Sequence, residues 1–347
     1  MLKAEKKVIG ELNLCYSLTE VVDEGKPYVI CAAEKEDPSY MFDLEGNQVA
    51  KLWDGPGGVM TMEQFPSEEF ILLATWKFYG PNNSAEAKIV YYTKGENGYD
   101  CHVLCDLPFV HRFGIVQRNG HNYIVACTLK SAHAFKDDWT CPGRIWVGEL
   151  PADIKQFNEE NQLPLTPLVS GLFRNHGFCK ITEDGMTYAV VGSENGVHVV
   201  IPPASPEEEW GVEQIFDEPT SDMLYVDFDG DGEKELLTMA PFHGEKLAIY
   251  KKVNGKFEAV YTHPEELPFL HAIYACELNG KPYAIIGNRK GERDLFAIHY
   301  DNGYVVEPLD HDAGPANVMY FRDGDKDKLI AANRETNEIA MYTLKEE

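Results

Sequence analysis

Positive charge is scarce in this chain. Lysine and arginine number 31 against 57 aspartates and glutamates, leaving a net charge of −26 and a pI near 4.8. Such a surface repels phosphate backbones and anionic headgroups, so neither nucleic acid nor membrane is an expected partner. No apolar run approaches the roughly 18 residues of a membrane-spanning helix. The segment Met1-Leu-Lys-Ala-Glu-Lys-Lys7 lacks the apolar core of a secretion signal, which makes the cytoplasm the expected compartment. The eight cysteines include no Cys-x-x-Cys pair, so reduced, mostly buried thiols are expected. Cys101 and Cys105 have no second pair with which to build a zinc finger. Helical periodicity is missing, apart from a short turn near residues 151–158.

What the chain does have is repetition. Gly-x-x-Tyr recurs at Gly25/Tyr28, Gly120/Tyr123, Gly185/Tyr188 and Gly280/Tyr283, each time between two apolar runs. The glycine supplies the positive φ of a tight hairpin, and the tyrosine opens a β-rich run such as Tyr123-Ile-Val-Ala-Cys-Thr128. Runs apolar on both faces belong to strands covered on both sides. Each pair leads into an alternating strand, a turn and a more polar fourth strand. First strands start near Leu18, Gly58, His111, His176, Asp222, His271 and Ala316. Four-stranded units at that spacing predict an all-β fold, a single domain over residues 1–347: a seven-bladed β-propeller, with six or eight blades as alternatives. The last unit supplies only three strands, so the N-terminal segment Lys7–Leu14 is expected to close the ring as its fourth.

The loop Asp227-Phe-Asp229-Gly-Asp231-Gly-Glu-Lys-Glu235 puts carboxylates at alternate positions, which suits a hard cation such as calcium; a solvated acidic turn is the plainer reading. It resembles the Asp-x-Asp-x-Asp-Gly turn of FG-GAP/VCBS-type propellers. The resemblance covers one unit well and has a shortened echo at Asp323-Gly-Asp325-Lys-Asp327.

In a propeller the first strand starts, and the second ends, on one face. First-strand starts there are His111, Arg112, Asn175, His176, Asp222, His271 and Asn317, and second-strand ends are Glu34, Trp76, Lys77, His133, Glu194, His243, Arg289 and Arg334. Solvated polar groups in a wet channel would explain any one of these. Three histidines and an aspartate at one repeat-equivalent place make a ligand site the better reading. Two chemistries suit the set. His111, His176, His271 and Asp222 could hold zinc, manganese or iron. Alternatively, His111, His133, His176, His243 and His271 serve as general acids and bases, while Arg112, Lys77, Arg289 and Arg334 clamp an anion. Trp76 or Trp139 could stack on a sugar face, with the long loop 132–143 as a lid.

A propeller with this turn and these histidines is similar to aldos-2-ulose dehydratase-like proteins and to seven-bladed polysaccharide lyases, including the oligogalacturonate and rhamnose–glucuronate lyase groups. The match is architectural. It implies a carbohydrate-active lyase or hydro-lyase, eliminating or dehydrating a uronic-acid or keto-sugar derivative at the propeller mouth. An anionic small molecule or oligosaccharide is the implied partner. The alternatives are a non-catalytic propeller binding a protein or glycan, and a hydrolase using a carboxylate pair from Glu34, Glu194 and Asp222.

Overall fold

A computed structural model describes residues 2–346. Among these residues the chain is all-β: 28 strands and one short 3₁₀ turn, Ile154–Gln156. No helix among them is long and apolar enough to cross a membrane. Five four-stranded antiparallel sheets accompany one eight-stranded sheet, in which two four-stranded meanders join through a single bridge, Gln117 to Thr187. We number the four-stranded units in chain order: unit 1 (15–53), unit 2 (62–106), unit 3 (110–172), unit 4 (177–216), unit 5 (222–262) and unit 6 (270–310). Unit 7 comprises Asn317–Asp323, Lys326–Asn333, Glu338–Glu346 and the N-terminal strand Leu2–Glu11. That strand pairs from Leu2 with Glu346 to Glu11 with Glu338, so it begins earlier and ends sooner than 7–14.

The repeated turns explain the hairpins. In Glu24-Gly25, Asn119-Gly120, Asp184-Gly185 and Asn279-Gly280 both residues have positive φ, near 50° and then 74–82°. This is the two-residue turn whose twist matches the strands it joins. The second strands, such as His121–Lys130 and Lys326–Asn333, are buried almost throughout because adjacent units cover both faces. The apolar clusters lie between units. One joins units 3 and 4 (Val116, Val125, Val191), another units 6 and 7 (Ile285, Ala297, Leu329), and a third unit 7 and unit 1 (Ile330, Met341, Cys31). Truncating one such residue, Ile285→Ala for instance, costs about 2–5 kcal/mol through lost transfer energy and the cavity left behind.

First strands of every unit line one central cavity of ≈ 300 Å³, contributing Thr19, Met62, Arg112, Lys180, Asp222, Tyr274 and Asn317 among others. That arrangement positions the site.

Candidate functional site

Strand register sets the levels of the central cavity. The pairs Ser17–Ala32, Arg112–Cys127, Gly177–Gly192, Asp222–Met239, Ala272–Gly287 and Asn317–Ala332 occupy matching places. One residue earlier stand Tyr16, His111, His176, Ser221, His271 and Ala316. The ladder skips Tyr16, His111 and His271, so each is the extra residue of a bulge, a device that re-aims a side chain. The sequence expectation placed Asp222 with the histidines. Register moves it one residue along, beside Arg112 and Asn317, and puts Ser221 in the histidine level.

The histidines gather as follows. His111 stacks at a tilt on His176, centroid to centroid 4.5 Å. His176 meets His271 edge-on at 5.4 Å and His243 at 5.1 Å. The nitrogens that converge belong to His176, His243 and His271, which lie within 4.8 Å of one another and could hold a metal ion. This trio takes in His243, expected only as an acid or base, and leaves out His111 and Asp222 from the expected ligand set. Asp222 is committed elsewhere: its Oδ1 accepts from the amides of Phe178 (3.3 Å) and Met223 (3.0 Å), and its Oδ2 stands 3.9 Å from His176 Nδ1.

Carbonyls fix the tautomers of two members. His176 Nδ1 donates to Ser221 O at 3.1 Å and His271 Nδ1 to Ala316 O at 2.6 Å. A carbonyl only accepts, so each Nδ1 carries the proton and each Nε2 presents its lone pair. Gly177 permits the first contact, because a Cβ there would stand 2.9 Å from Ser221 O. Among the described residues His176 Nε2 and His243 Nε2 have no hydrogen-bond partner, whereas His271 Nε2 accepts from Tyr16 Oη at 3.1 Å. His243 lies in a tight turn with φ 50°, its amide donating to Ser221 Oγ at 3.2 Å, its ring between Phe242 (3.9 Å) and Phe269 (4.5 Å). Ser221 therefore holds two of the three histidines.

Burial and the surrounding positive charge keep all four imidazoles neutral. Burial, then Arg112, hold His111 well below the usual histidine range, while burial and the neighbouring histidines do so for His176. Burial and Arg289 act likewise on His271, and bring His243 to about 3. Burial raises Asp222 to about 6 against the pull of Arg112. Neutral imidazole lone pairs suit zinc, manganese or iron.

The basic groups expected as anion clamps are mostly engaged. Arg334 pairs with Glu34 and Glu335, Arg289 with Glu335, and Lys77 with Glu86 at 3.3 Å. Pairing of this kind, between units for Arg334 with Glu34 and Arg289 with Glu335 and within unit 2 for Lys77, neutralises the charges that would hold an anion. Arg112 differs: it donates to Met60 O (2.9 Å) and to Asn317 Oδ1 (3.5 Å), with no carboxylate oxygen within 4 Å among the described residues. Trp139 of the long loop is covered by Lys130 and Arg174 and packs on Phe242, so that loop reaches the aromatic wall of His243. Trp76 has Lys77 over its ring. His133 lines a separate cleft with Tyr79, Asn83, Phe135 and Lys136.

In the acidic turn, Asp227, Asp229, Asp231 and Glu235 bring their oxygens within 4.8 Å of one another and could hold a metal. Lys251 already reaches into them, its Nζ 2.5 Å from Asp229, 2.7 Å from Asp231 and 3.1 Å from Glu235. The expectation of a calcium loop did not foresee that ammonium, because Lys251 comes from another strand.

The fold is of β-propeller type. A streptogramin B lyase structure superposes with a TM-score of 0.59 at 14% identity, over 99% of this chain and 98% of that one. BBS1N, in complex with ARL6DN, does so with 0.59 at 12%, over 98% and 95%. No protein-family model and no curated protein sequence matches the chain.

Tyr16 and Ser221 are the site residues that the sequence reading missed. A signal for both existed. Tyr16 stands nine positions ahead of Gly25, as His111 does ahead of Gly120, His176 ahead of Gly185, His271 ahead of Gly280 and Ser221 ahead of Gly230. Counting back from the turn, rather than matching apolar runs, finds the level.

Proposed function

We propose that the protein is a closed seven-bladed propeller whose channel holds a divalent transition metal on His176, His243 and His271, and that it is a lyase. Its substrate in this reading is a small anionic sugar derivative, a uronic acid or keto sugar, which loses a β-oxygen substituent. One observation carries the proposal: three neutral imidazoles converge, two of them locked by carbonyls so that Nε2 faces inward. Ring closure is supported by the apolar cluster between unit 7 and unit 1 and by the cavity that first strands of all units line. The similar streptogramin B lyase agrees in reaction class.

The chain's own residues divide the work. Arg112, half-buried beside the cavity and without a carboxylate partner among the described residues, binds the substrate's anionic group. His111, neutral and with Nδ1 unpartnered, takes the proton from the carbon beside that group. The C–H electrons form the new double bond as the β-carbon–oxygen bond breaks, and Asp222, with its pKa near 6, supplies the proton to the leaving oxygen. A bound metal supplies Lewis acidity toward the carbonyl or carboxylate. The acidic turn, if it takes calcium, is structural.

The test is element analysis of protein purified without added metal, followed by ultraviolet detection of a conjugated double bond with uronate oligosaccharides. Stoichiometric zinc, manganese or iron, with turnover lost in His111→Gln, is the expected result. Full metal occupancy with no elimination from any uronate or keto sugar would leave a binding module instead. No transition metal at all would remove the metal site.

A further inference from the structure

Tyr16 occupies in unit 1 the bulge position that histidines occupy in units 3 and 6. It is 3% exposed, and its ring meets His271 edge-on at 5.4 Å. Its backbone is pinned, since Tyr16 O accepts from Asn317 Nδ2 at 2.8 Å. The hydroxyl has one hydrogen bond among the described residues, to His271 Nε2. With Nδ1 of that ring donating to Ala316 O, Nε2 has a single lone pair and the phenol is the donor.

One lone pair cannot serve a hydroxyl and a cation together. Any metal taken up by His271 Nε2 must displace the Tyr16 O–H, and the freed oxygen starts 3.1 Å from the nitrogen that the metal has just taken. A buried hydroxyl left without a partner costs about 1–3 kcal/mol, which drives it toward the nearest group that can accept its oxygen. We propose that Tyr16 is the fourth protein ligand of the channel metal, passing from donor on His271 to oxygen ligand when the ion binds. The O–H bond breaks, a metal–oxygen bond forms and the proton leaves to solvent, with no change of oxidation state. This inference rests on the trihistidine reading above.

Copper(II) is the probe, added to metal-free protein. Wild type is expected to develop an intense visible phenolate-to-metal charge-transfer band and to release about one proton more than Tyr16→Phe in weak buffer. Tyr16→Phe should still bind copper by equilibrium dialysis, without the band. Binding with no charge-transfer band in wild type overturns the Tyr16 role while the histidine site stands, and needs no folded variant. Failure of wild type to bind copper removes the histidine site and Tyr16's role with it.

Discussion

Two clusters in this molecule look alike as gatherings of ligand atoms and differ in what stands among them. The trio His176, His243 and His271 and the acidic turn each bring their donor atoms within 4.8 Å. In the turn, Lys251 supplies an ammonium to three of four carboxylates. An incoming ion must displace a tethered cation. Around the histidine trio no lysine among the described residues intrudes, the guanidinium of Arg112 turns to Met60 and Asn317, and the Nε2 atoms of His176 and His243 have no hydrogen-bond partner among those residues. Residue type and spacing mark both places equally; the counter-charge contributed by a distant strand separates them.

That contrast can be broken most forcefully at the ligands. His176→Ala or His271→Ala should weaken transition-metal retention by more than about 100-fold, read by element analysis after dialysis. Wild-type occupancy in either variant would erase the distinction between the clusters. Next comes the lysine. Millimolar calcium should leave the melting temperature of wild type unchanged and raise that of Lys251→Met, by about 2.7 kcal/mol of stability at a hundredfold excess over Kd. Equal shifts in both proteins would mean that Lys251 does not hold the place of the ion.

Acid offers a smaller handle on the metal-free protein. His243 has its pKa lowered to about 3 from 6.5, so between those values the unfolded chain binds a proton that the folded chain refuses. Stability is therefore full above pH 6.5 and falls as pH drops, by about 1.4 kcal/mol per pH unit for this group. His111, His176 and His271 act in the same direction. Asp222, raised from 3.8 to about 6, acts oppositely, losing stability as pH rises through that window. Thermal melts from pH 7 to 4 should show a shallower acid slope in His243→Gln; an unchanged slope would mean that His243 is solvated. Smallest is Ser221→Ala, which removes the acceptor of the His243 amide but keeps the carbonyl under His176, at about 1 kcal/mol. A larger loss in melts would assign Ser221 a broader structural role.

The hairpins could be read from the chain because Gly-x-x-Tyr reports local backbone chemistry, and local chemistry is written in adjacent residues. The level of each side chain could not be read from apolar runs, because a bulge adds one residue without altering hydrophobicity. Hence apolar patterning opens unit 1 near Leu18 and puts Asp222 at the place of the histidines, while the register puts Tyr16 and Ser221 there. His243 was visible as a strand-end residue, yet its approach to His176 depends on a turn that no periodicity encodes. Ion pairs such as Arg334 with Glu34 join residues 300 positions apart and exist only once the first and last units meet. Sequence spacing therefore located the basic groups but not their partners.

The strand Leu2–Glu11 has a consequence for biosynthesis. Its ladder partner, Glu338–Glu346, leaves the ribosome more than 300 residues later. At ordinary elongation rates that is a delay of roughly 15–70 s. Throughout it the early strand has no sheet to join, and units 1 to 6 can form while it waits. Its charges, Lys3, Glu5, Lys6, Lys7 and Glu11, keep the waiting segment soluble and a poor template for foreign strands. Completion of the last sheet is thus a timed event, set by translation as much as by contact energy.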